Sequence, residues 1–145
     1  MIDTIEVGET LFALLGRTWY EVIEEAEQCV GLSQARLSML LVLHREGELS
    51  QADLQRRLGV DAAAISRQVR QLNGEGLVNR RPDPIDTRCI RVALSDHGRA
   101  QLRRLEPART AFFKTVLAGL DPSDLQALID GLTRIRRNIA LKTPV

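Results

Sequence analysis

Between Leu49 and Leu94 the chain reads LSQADLQRRLGVDAAAISRQVRQLNGEGLVNRRPDPIDTRCIRVAL, two short helices in close succession followed by two stretches of alternating character. Both helices start with the same device, a polar N-cap preceded by an apolar residue that packs on the fourth helical position. Leu49, Ser50 and Leu54 form the first set, with Asp53 at the third helical position to complete a capping box. Val60, Asp61 and Ile65 form the second. Gly59 supplies the left-handed backbone that ends one helix, and Asp61 caps the next. A connection this short forces a sharp crossing, as in a helix-turn-helix.

On the second helix, a turn of about 100° per residue sends Ile65, Gln68, Val69 and Leu72 to one side and Ala63, Arg67, Arg70 and Gly74 to the other. One face packs and the other is left to solvent or to a partner. Ala63 permits close approach to a DNA groove, Arg67 and Arg70 can reach guanine edges or phosphates, and Ser66 on the flank can donate to phosphate or base. Taken alone, the same residues suit an ordinary solvated face, so the neighbouring segment has to decide. Gly74 and Gly76 are expected to stop the helix, and alternation predicts strands over residues 77–81 and 89–94, with Ile90, Val92 and Leu94 on one face. The connection Pro82-Asp83-Pro84-Ile85-Asp86-Thr87-Arg88 is stiff and too polar for a core. A protruding basic tip suits a minor groove, where narrow A·T stretches concentrate negative potential. Arg88 is the residue expected to enter it, and Asp86 is expected to pair with an arginine and hold the tip in shape.

The net charge of +1 conceals an uneven distribution. Residues 1–32 carry seven acids against Arg17, a net of −6. Residues 50–94 carry eight arginines against five acids, a net of +3, and residues 95–145 carry nine basic side chains against five acids, a net of +4. Near-neutrality overall therefore does not oppose DNA binding by the middle of the chain. At 145 residues with 44% hydrophobic content the chain is expected to fold as one domain, and 3% aromatics argue against single-strand binding by base stacking. No apolar run reaches the ~20 residues that span a bilayer, and the acidic start at Met1-Ile2-Asp3 is opposite to a signal peptide, so a cytoplasmic location is expected. Cys29 and Cys89 make no disulfide framework, and no CxxC, HExxH or carboxylate cluster calls for a metal or cofactor. The two histidines fall on different segments and no nucleophile–base–orienter set is legible, so no catalytic residue is assigned and an enzyme is not expected.

Long amphipathic helices are expected at both ends. Phe12, Leu15, Trp19, Val22, Ala26 and Cys29 form an apolar ladder on the first, with Glu21, Glu24, Glu25 and Glu27 on its other faces. Ser95 is expected to cap a helix bearing Leu102, Leu105, Ala108, Phe112 and Val116, with an interruption and bend at Pro107. Asp121-Pro122 starts the last helix, striped with Leu125, Leu128, Ile129, Leu132, Ile135 and Ile139. The unit between them can close its own small core, so these ends are expected to pack with a second copy, Arg134, Arg136 and Arg137 meeting the acids of the first helix; the alternative is a monomer that covers its own helices.

The segment GLVNRRPDPIDTRCIRVALSDHG resembles the wing and following helix start of the MarR (multiple antibiotic resistance regulator) family, and the similarity extends from about residue 10 to 140. Its most specific elements are Gly76-Leu77-Val78, Asp86-x-Arg88, and Leu94-Ser95 before Gly98. The resemblance implies a mainly α fold with a small antiparallel β-ribbon. A winged helix-turn-helix lobe over residues 33–94 would be flanked by dimerisation helices over 1–32 and 95–145. It further implies a homodimeric regulator, most simply a repressor, on a pseudo-palindromic double-stranded operator, with Ser66, Arg67 and Arg70 in the recognition helix and Asp86 and Arg88 in the wing. Gln55 and Gln68 depart from the family pattern near the core, and are expected to be hydrogen-bonded or only partly buried, since an unpaired buried amide costs about 1–3 kcal/mol.

The same resemblance implies a small phenolic or aromatic carboxylate effector held near a helix that starts at Leu32-Ser33, with Trp19 as aromatic wall, Arg36 as carboxylate partner and His44 as titratable donor. Each residue also has a plainer role, as interface core, solvated cation and helix-end residue respectively. Some relatives sense peroxide through a cysteine of the first helix, which brings in Cys29; its neighbours Glu25 and Glu27 and the helix C-terminus disfavour thiolate, so interface packing is the expected role. A protein-interaction adaptor built on the same lobe is the other alternative, opposed by a recognition face that carries arginine and no aromatic residue.

Overall fold

Polar caps punctuate the chain where the sequence places them. The computed structural model describes residues 3–142; Met1 and Ile2, the start of the segment contrasted with a signal peptide, lie outside the described residues. Helix α1 (Thr4–Val30) starts from Asp3 and ends at Gly31 in the left-handed region. Helix α2 (Gln34–Glu46) starts from Ser33, whose hydroxyl accepts from the Arg36 amide. A two-residue strand β1 (Leu49–Ser50) leads directly into α3 (Gln51–Leu58), with the Ser50 side chain accepting from the Asp53 amide at 3.0 Å. Gly59 at φ 66° turns the chain, and Asp61 accepts from Ala64 at 2.7 Å to open α4 (Ala62–Gly74).

Strands β2 (Val78–Pro82) and β3 (Ile90–Leu94) form the ribbon, each starting one residue later than alternation predicts. The sheet has a third strand that the sequence does not announce: its order is β1-β3-β2, antiparallel throughout, with Leu49 opposite Val92 and Ser50 opposite Arg91. Pro82 is the last residue of β2, an edge strand, where a missing backbone donor is tolerated. Two local expectations are corrected. Gly74 is an ordinary helical residue of α4, and Gly76 alone takes a positive φ, 75°, so one glycine makes the turn. Helix α5 (Asp96–Val116) runs through Pro107 as one element, without the expected interruption, since the ring removes only a single backbone donor.

Met39, Leu40 and Leu43 of α2, Leu54 of α3, Ile65, Val69 and Leu72 of α4, and Val78 and Val92 of the ribbon are the largest fully buried side chains. Removing a side chain of this kind from water contributes about 1.5–3 kcal/mol. They make one contiguous core, against which Leu32, Leu41, Leu49, Leu58, Ile90 and Leu105 pack from its margins. Gln55 and Gln68 are half-buried, as their polarity requires.

The wing joins α5 through Ser95. Its hydroxyl donates to the Gly76 carbonyl at 2.6 Å and accepts from the Gly98 amide at 2.9 Å, while its own amide donates to the Leu77 carbonyl at 3.1 Å. Gly98 is buried against that same turn, and a Cβ there would overlap the Leu77 carbonyl oxygen and crowd the Leu94 side chain. The chain divides into two compact units at Phe112–Phe113. In the second, α6 (Pro122–Ala140) starts from a capping box between Asp121 and Asp124 and has no buried residue; Leu128, Ile129, Leu132 and Ile139 are exposed. No helix among the described residues is long and apolar enough to cross a membrane.

Because the obstacle at Gly98 is backbone, Gly98→Ala is expected to destabilise the fold by about 1–3 kcal/mol through overpacking. Thermal denaturation by circular dichroism checks this, and an unchanged midpoint would contradict the close approach.

Candidate nucleic-acid interface

The rotational setting of α4 follows from burial. Ile65, Val69 and Leu72 are fully enclosed, which turns Ala63, Arg67, Arg70 and Gly74 to the surface and leaves Ser66 half-buried on the flank. Arg70 Nε makes one long bond to the Ser66 carbonyl, 3.4 Å, within the helix. Among the described residues neither Arg67 nor Arg70 has a carboxylate partner, whereas most other arginines of the lobe are already paired. Arg56 is held by Asp53, Arg57 by Glu46 at 2.9 Å, and Arg36 by Glu75 just beyond α4. The arginines left uncommitted on α4 are those the helix period assigns to the outer face.

The wing tip is built from side-chain-to-backbone bonds. Asp83 Oδ1 accepts from the amides of Ile85 at 2.8 Å and Asp86 at 3.2 Å, and these bonds hold its pKa below the usual carboxylate range. Across the loop the Asp83 amide donates to the Cys89 carbonyl at 2.8 Å. Asp86 accepts from Arg88 Nε at 3.0 Å and from the Arg88 amide at 3.1 Å, so the expected pairing at the tip is present and lowers the Asp86 pKa. The Arg88 side chain is 90% exposed and Ile85 96% exposed, so both project outward from the loop.

Sequence reasoning did not identify Glu48. This residue precedes β1 and accepts from Arg81 twice, at 2.7 and 3.0 Å, and from Arg91 Nε at 3.0 Å. Those bonds, Arg81's first, hold the Glu48 carboxyl down to about 2. Arg81 and Arg91 stand directly opposite one another in the ribbon. That alignment was the available signal: two facing arginines repel and call for an acid, although the acid itself lies 33 and 43 residues away.

The other proposed residues divide. Arg36 is half-buried, and its buried Nε has no hydrogen-bond partner among the described residues. His44 is exposed in the last turn of α2, eight residues on, about 12 Å along the helix axis. Trp19 is 58% exposed on α1, with Phe12 at 56% and only Val30 buried on that helix. The Cys29 thiol donates to Glu25 at 3.3 Å, and that bond raises its pKa; Cys89 is raised mainly by the charge of Asp86. Both contacts disfavour thiolate, the reactive form.

A helix-turn-helix with an acid-free arginine face, followed by a wing tipped with arginine, defines a winged-helix DNA-binding protein. The MarR family model matches residues 32–90. An uncharacterized HTH-type transcriptional regulator of Bacillus subtilis (strain 168), YdgJ, is 40% identical over 113 residues, which cover 78% of this chain and 69% of that protein. Among solved structures, the transcriptional repressor CouR bound to a 23-mer DNA duplex is 28% identical with a TM-score of 0.82, covering 94% of this chain and 99% of CouR. BpsR of Bordetella bronchiseptica, whose DNA binding is regulated by 6-hydroxynicotinic acid, is 23% identical with a TM-score of 0.78, covering 88% of this chain and 98% of BpsR. The chain belongs to the MarR family: it is a DNA-binding transcriptional regulator and not an enzyme.

Proposed function

We propose that the protein is a homodimeric repressor that reads a pseudo-palindromic operator with two copies of α4 in major grooves and two wings in flanking minor grooves. The observation that carries this reading is the pairing pattern of the arginines. Among the described residues Arg67 and Arg70 have no acid partner on the face that the core turns outward, while Ala63 keeps the start of that face low enough to enter a groove. Ser66 flanks them, and Asp86 fixes the direction from which Arg88 reaches a minor groove. Arg67→Ala and Arg70→Ala are each expected to weaken operator binding by about 10- to 100-fold and to reduce the salt slope by about 1 where the contact is to phosphate. Fluorescence anisotropy across a salt series checks this; unchanged affinity in both variants would remove α4 from the interface.

Homodimerisation is supported by the apolar residues left uncovered. Phe12, Leu15 and Trp19 on α1, and Leu128, Ile129 and Leu132 on α6, are each more than one-third exposed in the single chain, and patches of this kind mark association sites. Two-fold symmetry would also give the two recognition helices the spacing of successive grooves. Sedimentation equilibrium at micromolar concentration is expected to return twice the chain mass, and a monomer would contradict the reading.

For an effector, the supporting observation is Arg36. Its guanidinium is engaged by Glu75 at Nη2, while its buried Nε, without a partner among the described residues, suits one oxygen of a small phenolic or aromatic carboxylate. BpsR is a precedent in this fold for regulation by such an acid. Arg36, with Trp19 as the aromatic surface, is the proposed contact, and His44 lies about two turns further along α2. Salicylate or 6-hydroxynicotinate in millimolar excess is expected to lower operator affinity of the wild type and not of Arg36→Gln; an equal response in both would take Arg36 out of the site. The Glu25 carboxylate that accepts from the Cys29 thiol opposes the peroxide-sensing alternative.

A further inference from the structure

The base of the wing carries a charge arrangement that the DNA-reading role does not use. Directly opposed residues of an antiparallel ribbon have Cβ atoms about 5 Å apart, and here the opposed pair is Arg81 and Arg91. Both point their guanidinium groups at one carboxylate, Glu48, at 2.7 to 3.0 Å. Arg91 continues the connection, because its Nη1 donates to Asp83 Oδ2 at 3.3 Å. Asp83 in turn holds the Ile85 and Asp86 amides, and Asp86 holds Arg88. An unbroken series of hydrogen bonds thus runs from Glu48 to the wing tip. At its other end Glu48 lies two residues before Ser50, the cap of α3, so the series begins on the helix-turn-helix itself.

We propose that Glu48 is a specificity-determining positioning residue, which keeps Arg81 and Arg91 from contacting phosphate and fixes the wing that carries Arg88 at a set place relative to the recognition helix. The proposal rests on the DNA-reading function above and adds to it. Two arginines on an exposed ribbon would otherwise bind any duplex, because phosphate contacts give affinity without sequence. Glu48 withdraws them, and Arg81 is the more consequential of the two, being 54% exposed against 32% for Arg91. The wing tip then contributes through Arg88, at a distance from α4 that the Glu48 bonds hold constant, and of the ribbon's strand arginines only the exposed Arg80 is left without an acid among the described residues.

The test compares a duplex selected by the wild-type protein from a random pool with an unrelated duplex of equal length, over a salt series. Glu48→Gln is expected to bind the unrelated duplex more tightly, with its salt slope steepened by about 1 to 2, and to reduce the preference for the selected duplex by about ten-fold. The double variant Glu48→Gln/Arg81→Gln is expected to lose most of the added slope, which a merely structural role for Glu48 would not produce. Arg81→Gln alone is expected to leave the wild-type slope unchanged, and this arm stands even if Glu48→Gln fails to fold; a slope lowered by about 1 would mean that Arg81 already touches phosphate and would overturn the proposal. Weaker binding of Glu48→Gln to both duplexes at an unchanged slope, or no change in slope and preference, would overturn it as well while leaving the DNA-reading role of α4 intact. A wild-type protein that binds neither duplex at low salt would overturn both.

Discussion

The fixed rotation of α4 about its own axis is the constraint on which the rest of the lobe depends. Ile65, Val69 and Leu72 recur at four and three residues, and all three are fully buried against α2, α3 and the ribbon. A helix gripped in this way cannot roll to present another face without exposing three large side chains, each at a cost of about 1.5–3 kcal/mol. The N-cap at Asp61 and the positive-φ turn at Gly76, just after the C-cap Glu75, fix its ends, so its position along the axis is settled as well. The outward placement of Ala63, Arg67 and Arg70 is thus a consequence of packing on the opposite side.

A second ordering follows from which arginines have acids and which do not. Arg36, Arg56, Arg57, Arg81 and Arg91 are engaged by Glu75, Asp53, Glu46 and Glu48, and in those pairs the guanidinium groups tie one element of the lobe to another or brace a helix end. Among the described residues Arg67 and Arg70 of α4, and the exposed Arg80 of β2, have no such partner. Arg88 is intermediate: Asp86 orients it within the tip while leaving it almost wholly exposed. The basic character of residues 50–94 is therefore divided between frame and reading surface, a division that net charge alone does not show. On the same logic the acidic α1 should lie away from DNA, with its uncovered apolar residues turned to a second copy.

Most of the lobe was legible because its signals are local. Caps at Ser33, Ser50, Asp61 and Asp121, the left-handed Gly59, the helix stop at Gly76, and the periodicity of α4 all act within a few residues, and the structure places each helix start where the caps put it. What escaped the sequence depends on distant partners. Strand β1 is two residues long, too short for any alternation, and exists only because β3 arrives beside it. Glu48 and Glu75 look like ordinary surface acids until the fold brings Arg81, Arg91 and Arg36 to them. The turn after α4 was assigned two glycines where one suffices, since composition shows that glycine is permitted and not that a positive φ is needed. Gly98 was legible only as part of a family resemblance, and its physical reason, contact with the Leu77 carbonyl, is a tertiary one.

The central claim is that the arginines divide into those that hold the lobe together and those that meet DNA. Chemical modification of arginine by phenylglyoxal, mapped residue by residue by mass spectrometry with and without bound operator duplex, tests that division directly. The account predicts that Arg67, Arg70 and Arg88 are modified in the free protein and protected by DNA, while Arg81 and Arg91 react slowly and equally in both states. Protection of Arg81 and Arg91 by DNA, with Arg67 and Arg70 still open to reagent in the complex, would contradict it.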